Sequence, residues 1–322
     1  MNSRRHLMLA AALALAGTAA VGQTWPDRTI RIINPYAAGG PSGTLVNLLA
    51  DGLTAELGQR VIVESKPGGG TVIGASLVAQ APPDGYTLLL ATVAPLVVQP
   101  AVNPALPYNA QRDFVLVGLY ATVPNLIAVH PSVPATTLRE LIDLARKNPG
   151  QLNYASAGAG TGPHLGGELF NQMAGVQLTH IPYAGAAPAV LGVLGGQTQV
   201  SMVNLPPQVA HVKAGKLRAL AVAGTKRSSL LPDVPTVAEA GLPGYVAESW
   251  NGLAAPAGTP RAIIDKLYAA MVKVMASAKA REVMATLGAE PTMADPDAFL
   301  AYVKADEARL KPIIKSLNLT TQ

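Results

Sequence analysis

NYASAGAGTGPHL, residues 153–165, contains the clearest structural signal in the chain. Its first residues have the pattern of a short strand, a glycine-rich loop follows, and a helix is predicted to begin near Pro163 or His164. A strand that enters a helix through such a loop directs backbone N–H groups toward one point, where the positive end of the helix dipole also lies. The junction therefore suits an anion, to which the hydroxyls of Ser156 and Thr161 add polar contacts. A turn that only joins strand to helix is the alternative interpretation.

The same order of strand, glycine loop and helix occurs near the start of the chain. The β-branched run 29–33 predicts a strand, YAAGGPSGT at 36–44 a loop, and the amphipathic run 45–57 a helix. Two further strands are predicted at 61–64 and 86–92, with a glycine turn and a helix between them. Repeated alternation of this kind predicts an α/β fold, in which a parallel sheet has helices on both faces.

The pattern restarts in the middle of the chain. A strand predicted at 114–119 ends the first unit, and a strand at 126–130 begins the next one. Thr137 and Glu140 have capping-box spacing at the start of the helix that follows. The last strand of this unit is predicted at 217–223, so the unit spans roughly a hundred residues, which is a normal domain size.

The final part of the chain returns to the first unit. Residues 247–253 are predicted as a strand that crosses back, and two amphipathic helices are predicted at 261–278 and 297–316. The two units are therefore interleaved. The predicted bounds are 23–124 with 246–322 for lobe 1, and 125–245 for lobe 2.

The positions of the glycine loops indicate a binding cleft. In an open α/β sheet, ligands bind beyond the carboxyl ends of the strands, where loops enter helices. The loop after Pro35 and the loop after Ser156 fall at equivalent positions in the two units. Both helix N-termini can therefore hold one anion from opposite sides of a cleft between the lobes. This pairing favours a binding loop over a plain turn.

The first residues predict export. Arg4 and Arg5 precede an apolar run at 7–16 and small residues, which is the pattern of a signal peptide, residues 1–22, cut near Gly22. The mature protein is therefore expected in a bacterial periplasm. The 322-residue chain has no cysteine, which excludes disulfides and a lipid-anchored cysteine. Its formal charge of +5 is spread thinly, so nucleic acid is not an expected partner.

Catalytic and cofactor motifs are missing from the sequence. It contains no GxSxG elbow, HExxH pair or Walker lysine, and GAGTG at 158–162 lacks the third glycine of a dinucleotide loop. The mature histidines, which are His130, His164, His180 and His211, have no metal-ligand spacing. We therefore expect a protein that is not an enzyme and uses no cofactor or metal. Two alternatives stay open: a secreted hydrolase or isomerase that uses His164, and a periplasmic sensor for the same solute.

Four side chains near these loops have two possible roles each. His164 either packs or caps the second loop or touches ligand. Tyr36 is a cleft wall or a core residue, and Trp250 is hinge packing or a cleft wall. Asn204, which ends a strand before Pro206, bonds either a ligand or its own turn.

Several motifs, taken in order, resemble one family. They are WPDRTIRIINPYAAGG (25–40), APPDGYTLLLAT (81–92), LNYASAGAGTGPHLGGELF (152–170), HIPYAGAAPAVLGVLGGQ (180–197), GKLRALAVAGTKRSSLLPDVPTVAEAGLPGY (215–245) and ESWNGLAAPAGTP (248–260). Along essentially its whole mature length the chain resembles the Bug (TctC-like) family, the extracytoplasmic solute receptors of tripartite tricarboxylate transporters. The resemblance implies a two-lobed periplasmic binding protein, type II-like, a Venus flytrap that closes over a small carboxylate and hands it to membrane permease subunits. It also implies that both glycine loops bind carboxylate mainly through backbone N–H groups, small hydroxyls and ordered water.

The family's ligand-binding positions can be carried over to this sequence one by one. Its first loop falls on Pro35–Ser42, its second loop on Ser156–His164, and its loop after the third strand on Thr92 and Ala94. With the side-chain candidates above, the expected ligand-binding residues are Tyr36, Gly39, Gly40, Ser42, Thr92, Ala94, Ser156, Gly160, Thr161, His164 and Asn204.

The sequence departs from the family pattern at positions that usually carry charge. Gly43 and Asn47 stand where the family commonly has Asp and Arg, Val203 replaces a frequent Asp, and Ala184 replaces a frequent Lys. Fewer charges near the cleft argue against an amino-acid ligand, whose ammonium group needs a carboxylate partner. We expect a monomeric receptor for an aliphatic or aromatic mono- or dicarboxylate, in which the second loop carries the larger share of recognition.

Overall fold

The computed structural model of the protein describes residues 25–37 and 41–316. These residues form strands and helices in an alternating order. The strands are β1 (Ile30–Asn34), β2 (Val61–Ser65), β3 (Thr87–Ala91), β4 (Phe114–Val129), β5 (Asn153–Ser156), β6 (Thr179–Pro182), β7 (Val200–Asn204), β8 (Arg218–Val222), β9 (Glu248–Pro256) and β10 (Glu290–Ala294). The helices are α1 (Pro41–Leu57), α2 (Val72–Ala79), α3 (Gln99–Val102), α4 (Leu138–Lys147), α5 (Gly162–Ala174), α6 (Ala186–Leu194), α7 (Pro206–Lys213), α8 (Arg261–Met275), α9 (Ala278–Thr286) and α10 (Pro296–Ser316).

The strands form one curved sheet with two parallel halves. Its order is β2-β1-β3-β9-β4-β7-β5-β6, and β8 and β10 also pair with β4. In the first half β1 is parallel to β2 and β3, and in the second half β5 is parallel to β6 and β7. Strand β9 is antiparallel to β3 and β4 and returns the chain to the first half. The α/β fold with two halves is therefore confirmed.

Strand β4 differs from the sequence prediction. We predicted separate strands at 114–119 and 126–130, but β4 is continuous over sixteen residues. It pairs with β9 up to Pro124 and with β7 from Asn125 onward. Pro124, which has no N–H group to donate, lies where β4 changes partners, and its carbonyl accepts a hydrogen bond from the Leu205 N–H at 2.9 Å. One strand thus runs through both halves of the sheet.

Proline and capping residues explain the elements that the sequence analysis missed. Pro206 and Pro207 lie in the first turn of α7, where a helix does not need their N–H groups. The two prolines predict a turn at this position, whereas the structure has a helix. The helix predicted at 261–278 ends at Met275, and α9 starts separately because the Ser277 hydroxyl accepts the Ala280 N–H at 3.1 Å. Strand β10 was also missed.

A shared core joins the two halves. Trp250 on β9 is 1% exposed, packs edge-to-face on Phe299 with ring centroids 5.5 Å apart, and donates its indole N–H to Asp306 at 2.9 Å. The interpretation of Trp250 as packing is therefore confirmed. Helix α10, which carries Phe299 and Asp306, contacts both β4 and α5. None of the helices in the described residues is long and apolar enough to cross a membrane.

Candidate functional site

The end of β1 and the end of β3 meet in one hydrogen bond. The Tyr36 hydroxyl lies 2.6 Å from Thr92 Oγ1, and the buried Asn34 side chain accepts the Tyr36 N–H at 3.1 Å. Burial, partly offset by the bond to Thr92, raises the pKa of Tyr36 to about 12. The phenol therefore stays protonated at neutral pH and retains a hydrogen that it can donate.

Other predicted residues of the first half lie at the same carboxyl edge of the sheet. Ser42 is half-buried in the first turn of α1, which contains no acidic residue, so the positive end of that helix is not neutralised locally. Ala94 is half-buried and begins a helical turn that leads into α3. Gly39 and Gly40 lie outside the described residues, so their predicted role has no structural description.

In the second loop, the predicted hydroxyls hold the loop itself. Ser156 is fully buried at the end of β5, and its Oγ accepts the Gly158 N–H at 3.1 Å. The Thr161 hydroxyl donates to the Gly158 carbonyl at 2.7 Å. Their expected contacts with ligand remain a prediction, since each hydroxyl already has a partner in the loop.

His164 lies behind the loop in the first turn of α5. It is 3% exposed, its Nδ1 accepts the Gly160 N–H at 3.0 Å, and its ring stacks on His180 with centroids 3.8 Å apart at 16°. Burial, together with the neighbouring His180, lowers the pKa of His164 to about 3. This geometry matches the packing and capping interpretation of His164. It offers no support for the hydrolase or isomerase alternative, because no described hydroxyl bonds the His164 ring.

His180 is the residue of this cluster that sequence reasoning missed. Its Nε2 lies 2.6 Å from Ser156 Oγ in a hydrogen bond, and burial lowers the pKa of His180 to about 4. The pairing of β5 with β6 places His180 beside Tyr154. Because side chains alternate along a strand, Tyr154, Ser156 and His180 share one face, and this alternation was the available signal.

The remaining backbone donors of the second loop are open. Gly158 and Gly160 use their N–H groups within the loop, and Pro163 has none. Among the described residues, the N–H groups of Ala157, Ala159 and Gly162 have no acceptor. All three residues are exposed or half-buried, so a ligand can reach them. Gly162 begins α5, whose first turn contains no acidic residue, and its donor therefore lies at an uncompensated positive helix end.

The second loop lies against the first half of the sheet. A Cβ atom at Gly160 would lie 3.7 Å from Val98, and one at Gly162 would lie 4.0 Å from Val93 and 3.2 Å from Ser249 Oγ. Val93 directly follows Thr92 in the chain. The structure therefore brings the second loop next to the segment that carries Thr92 and Ala94.

Asn204 ties the crossing strands together. Its side-chain N–H group donates to Asn125 Oδ1 at 2.9 Å and to Ser249 Oγ at 3.0 Å, which links β7 to β4 and β9. Through Ser249 it also reaches the start of α5 at Gly162. In the structure Asn204 therefore connects neighbouring strands. Its contact with a ligand remains a prediction.

Comparisons with known proteins give one consistent result. The family model for the tripartite tricarboxylate transporter family receptor, TctC, matches residues 45–319. The chain is 37% identical to BugT of Bordetella pertussis over 311 residues, which cover 95% of each chain. It is similar to the periplasmic binding protein BugD (34% identity, TM-score 0.77, covering 92% of this chain and 100% of that one).

Two solved structures of Rhodopseudomonas palustris proteins contain a ligand. One, with adipate, is 35% identical with a TM-score of 0.80, covering 90% of this chain and 97% of that one. The other, MatC with bound malate, is 31% identical with a TM-score of 0.76, covering 90% of this chain and 100% of that one. Because both the family model and these relatives extend over most of the chain, the protein belongs to the TctC family of periplasmic solute-binding receptors.

Proposed function

We propose that the protein captures a small organic carboxylate in the periplasm and delivers it to the membrane permease subunits of a tripartite tricarboxylate transporter. The observation that carries this proposal is the set of open N–H groups at Ala157, Ala159 and Gly162. Backbone amides at a helix N-terminus are donors that suit a carboxylate, and the dipole of α5 adds a favourable field.

The charges around the cleft favour an acid without an amino group. Neither 34–45 nor 153–165 contains Asp or Glu, so no carboxylate in these loops is available to pair with a ligand ammonium group. Val203 is fully buried and Gly43 lies beside Asn34. Two positions at which the family commonly has a charged residue are therefore apolar in this chain. The relatives solved with adipate and malate support the same class, a mono- or dicarboxylate.

The binding site that we propose uses both halves of the sheet. One carboxylate accepts N–H groups of the second loop, while Tyr36, Thr92 and the first loop, including Gly39, Gly40 and Ser42, contact it from the other side. The lobes, 23–124 with 246–322 and 125–245, close over the ligand, and the protein acts as a monomer.

A thermal-shift panel tests this function. We expect at least one dicarboxylate of four to six carbons to bind, and tight binding raises the free energy of unfolding by about 2.7 kcal/mol at a hundredfold excess over Kd. The matched control is the diamide of the same acid, which keeps its shape but lacks charge, and it should give a much smaller shift. Amino acids should give no thermal shift. A folded protein that responds to no organic acid would contradict the proposal.

A further inference from the structure

Two stacked histidine rings, His164 buried and His180 half-buried, support the second loop. His164 and His180 stack in parallel at 3.8 Å, and the Tyr154 ring lies next to His180 with centroids 5.0 Å apart. His180 bonds Ser156 at 2.6 Å and His164 accepts the Gly160 N–H at 3.0 Å. The stack is therefore connected to the loop at two separate points.

These hydrogen bonds determine which backbone N–H groups of the second loop are already paired. Ser156, held by His180, accepts the Gly158 N–H, and His164 accepts the Gly160 N–H. The N–H groups of two alternate residues, Gly158 and Gly160, are therefore bonded to side chains that support the loop. The amides between and after them, at Ala157, Ala159 and Gly162, have no acceptor among the described residues.

The arrangement requires a defined tautomer of His164. Its Nδ1 must lack a proton in order to accept from Gly160, so the ring proton is on Nε2. The titratable Tyr154 ring lies next to His180, and its hydroxyl donates to Glu168 Oε1 at 2.6 Å. One carboxylate oxygen of Glu168 is thereby hydrogen-bonded to a neutral phenol. Burial keeps the pKa of both histidines low, so both rings are neutral near pH 7.

We propose that His164 and His180 are positioning residues that select which backbone amides of the second loop meet the ligand. They do so without touching the ligand: each ring holds one amide inward, His164 directly and His180 through Ser156. The inference rests on the proposed function, because it concerns the loop to which carboxylate binding is assigned. It adds His180, which has no part in the expected ligand-binding set.

Side-chain length provides a sharp test. The amide oxygen of Asn can replace a histidine Nδ1 and the amide group of Gln can replace Nε2, so the two positions should have opposite preferences. Relative to His180→Leu, we expect His180→Gln to recover about tenfold in carboxylate affinity and His180→Asn to recover none. At the other position, His164→Asn should recover affinity relative to His164→Leu, and His164→Gln should not. Isothermal titration with the tightest dicarboxylate of the panel measures these ratios, and His211→Gln on α7 is the control.

A role in packing alone would give a different result, with Asn and Gln equivalent at each position and affinity following thermal stability. That outcome would overturn the inference. A second measurement uses the ligand-free protein and therefore decides the matter even if no carboxylate binds. In nitrogen NMR spectra, His164 should show the Nε2–H tautomer, and Ser156→Ala should shift the Gly158 amide while leaving the amide of the exposed residue Ala214 unchanged. An Nδ1–H tautomer of His164, or an unchanged Gly158 signal, would refute it.

Discussion

Side-chain atoms of the second loop are bonded mostly to the loop, and this explains how so few charges can form an anion site. Ser156, Thr161 and His164 each bond a backbone group of Gly158 or Gly160. Their contribution to binding is therefore to hold the loop in one conformation before the ligand arrives, which lowers the ordering cost of binding.

Thr161 gives a direct test of this preorganisation. Thr161→Ala removes the 2.7 Å hydrogen bond to the Gly158 carbonyl, and we expect about a fivefold to tenfold loss of carboxylate affinity. Thr161→Ser keeps the hydroxyl and should lose much less. Isothermal titration measures both, with Thr286→Ala on the distant helix α9 as the control. A loss in Thr161→Ala no larger than in this control would rule out the role.

The histidine pair should make the protein less stable in acid. The unfolded chain binds protons at both histidines as the pH falls below about 6.5, whereas the folded protein does not until the pKa values of about 3 for His164 and about 4 for His180 are reached. The free energy of unfolding should therefore fall with decreasing pH across this window, by up to about 1.4 kcal/mol per pH unit for each histidine.

Urea unfolding at pH 7 and pH 5 measures this effect at pH values above the pKa of most carboxylates. The double variant His164→Asn/His180→Gln should show a clearly smaller loss of stability between the two pH values. Equal losses in the variant and the natural protein would show that the histidines titrate normally in the folded state.

At the scale of helices and strands, the sequence predicted most of what supports the site. The alternation of strands with glycine loops predicted β1 to β3 and β5, and Thr137 caps α4 as its spacing indicated, by accepting the Glu140 N–H at 3.2 Å. Strand β4 was not predicted as one element, because its continuity depends on partner strands from both halves. His180 was missed because the alternation of side chains places it under the loop only once the pairing and register of β6 with β5 are known.

Two helical glycines should respond in opposite ways to an added methyl group. A Cβ at Gly167 in α5 would lie 2.3 Å from the Tyr154 ring, whereas one at Gly43 in α1 meets nothing nearer than 3.7 Å. We expect Gly167→Ala to destabilise the protein by about 1–3 kcal/mol through overpacking, and Gly43→Ala to stabilise it by up to about 1 kcal/mol through helix propensity. Chemical denaturation of the ligand-free protein checks both, and the same sign for the two variants would contradict this packing.

For the whole molecule, the proposed closure over a ligand requires the two halves of the sheet, which β4 and β9 connect, to meet at the glycine loops. Gly162 lies in this contact, close to Ser249 and Val93. We expect Gly162→Val to keep the halves apart, because its extra methyl groups collide with both side chains. Small-angle scattering should show that a bound dicarboxylate compacts the natural protein and does not compact this variant. Equal compaction of both would show that Gly162 is not at the closing surface.

At the molecular level, the proposed function requires open backbone amides of the second loop to bind the carboxylate. Amide NMR spectra during titration with the tightest dicarboxylate test it most directly, because each donor is observed separately. We predict that the N–H signals of Ala157, Ala159 and Gly162 move downfield together with one affinity, as expected for amides that gain a charged acceptor, while the Gly158 and Gly160 signals move little. Saturable binding whose largest shifts lie at Gly158 and Gly160, or outside both glycine loops, would contradict the account.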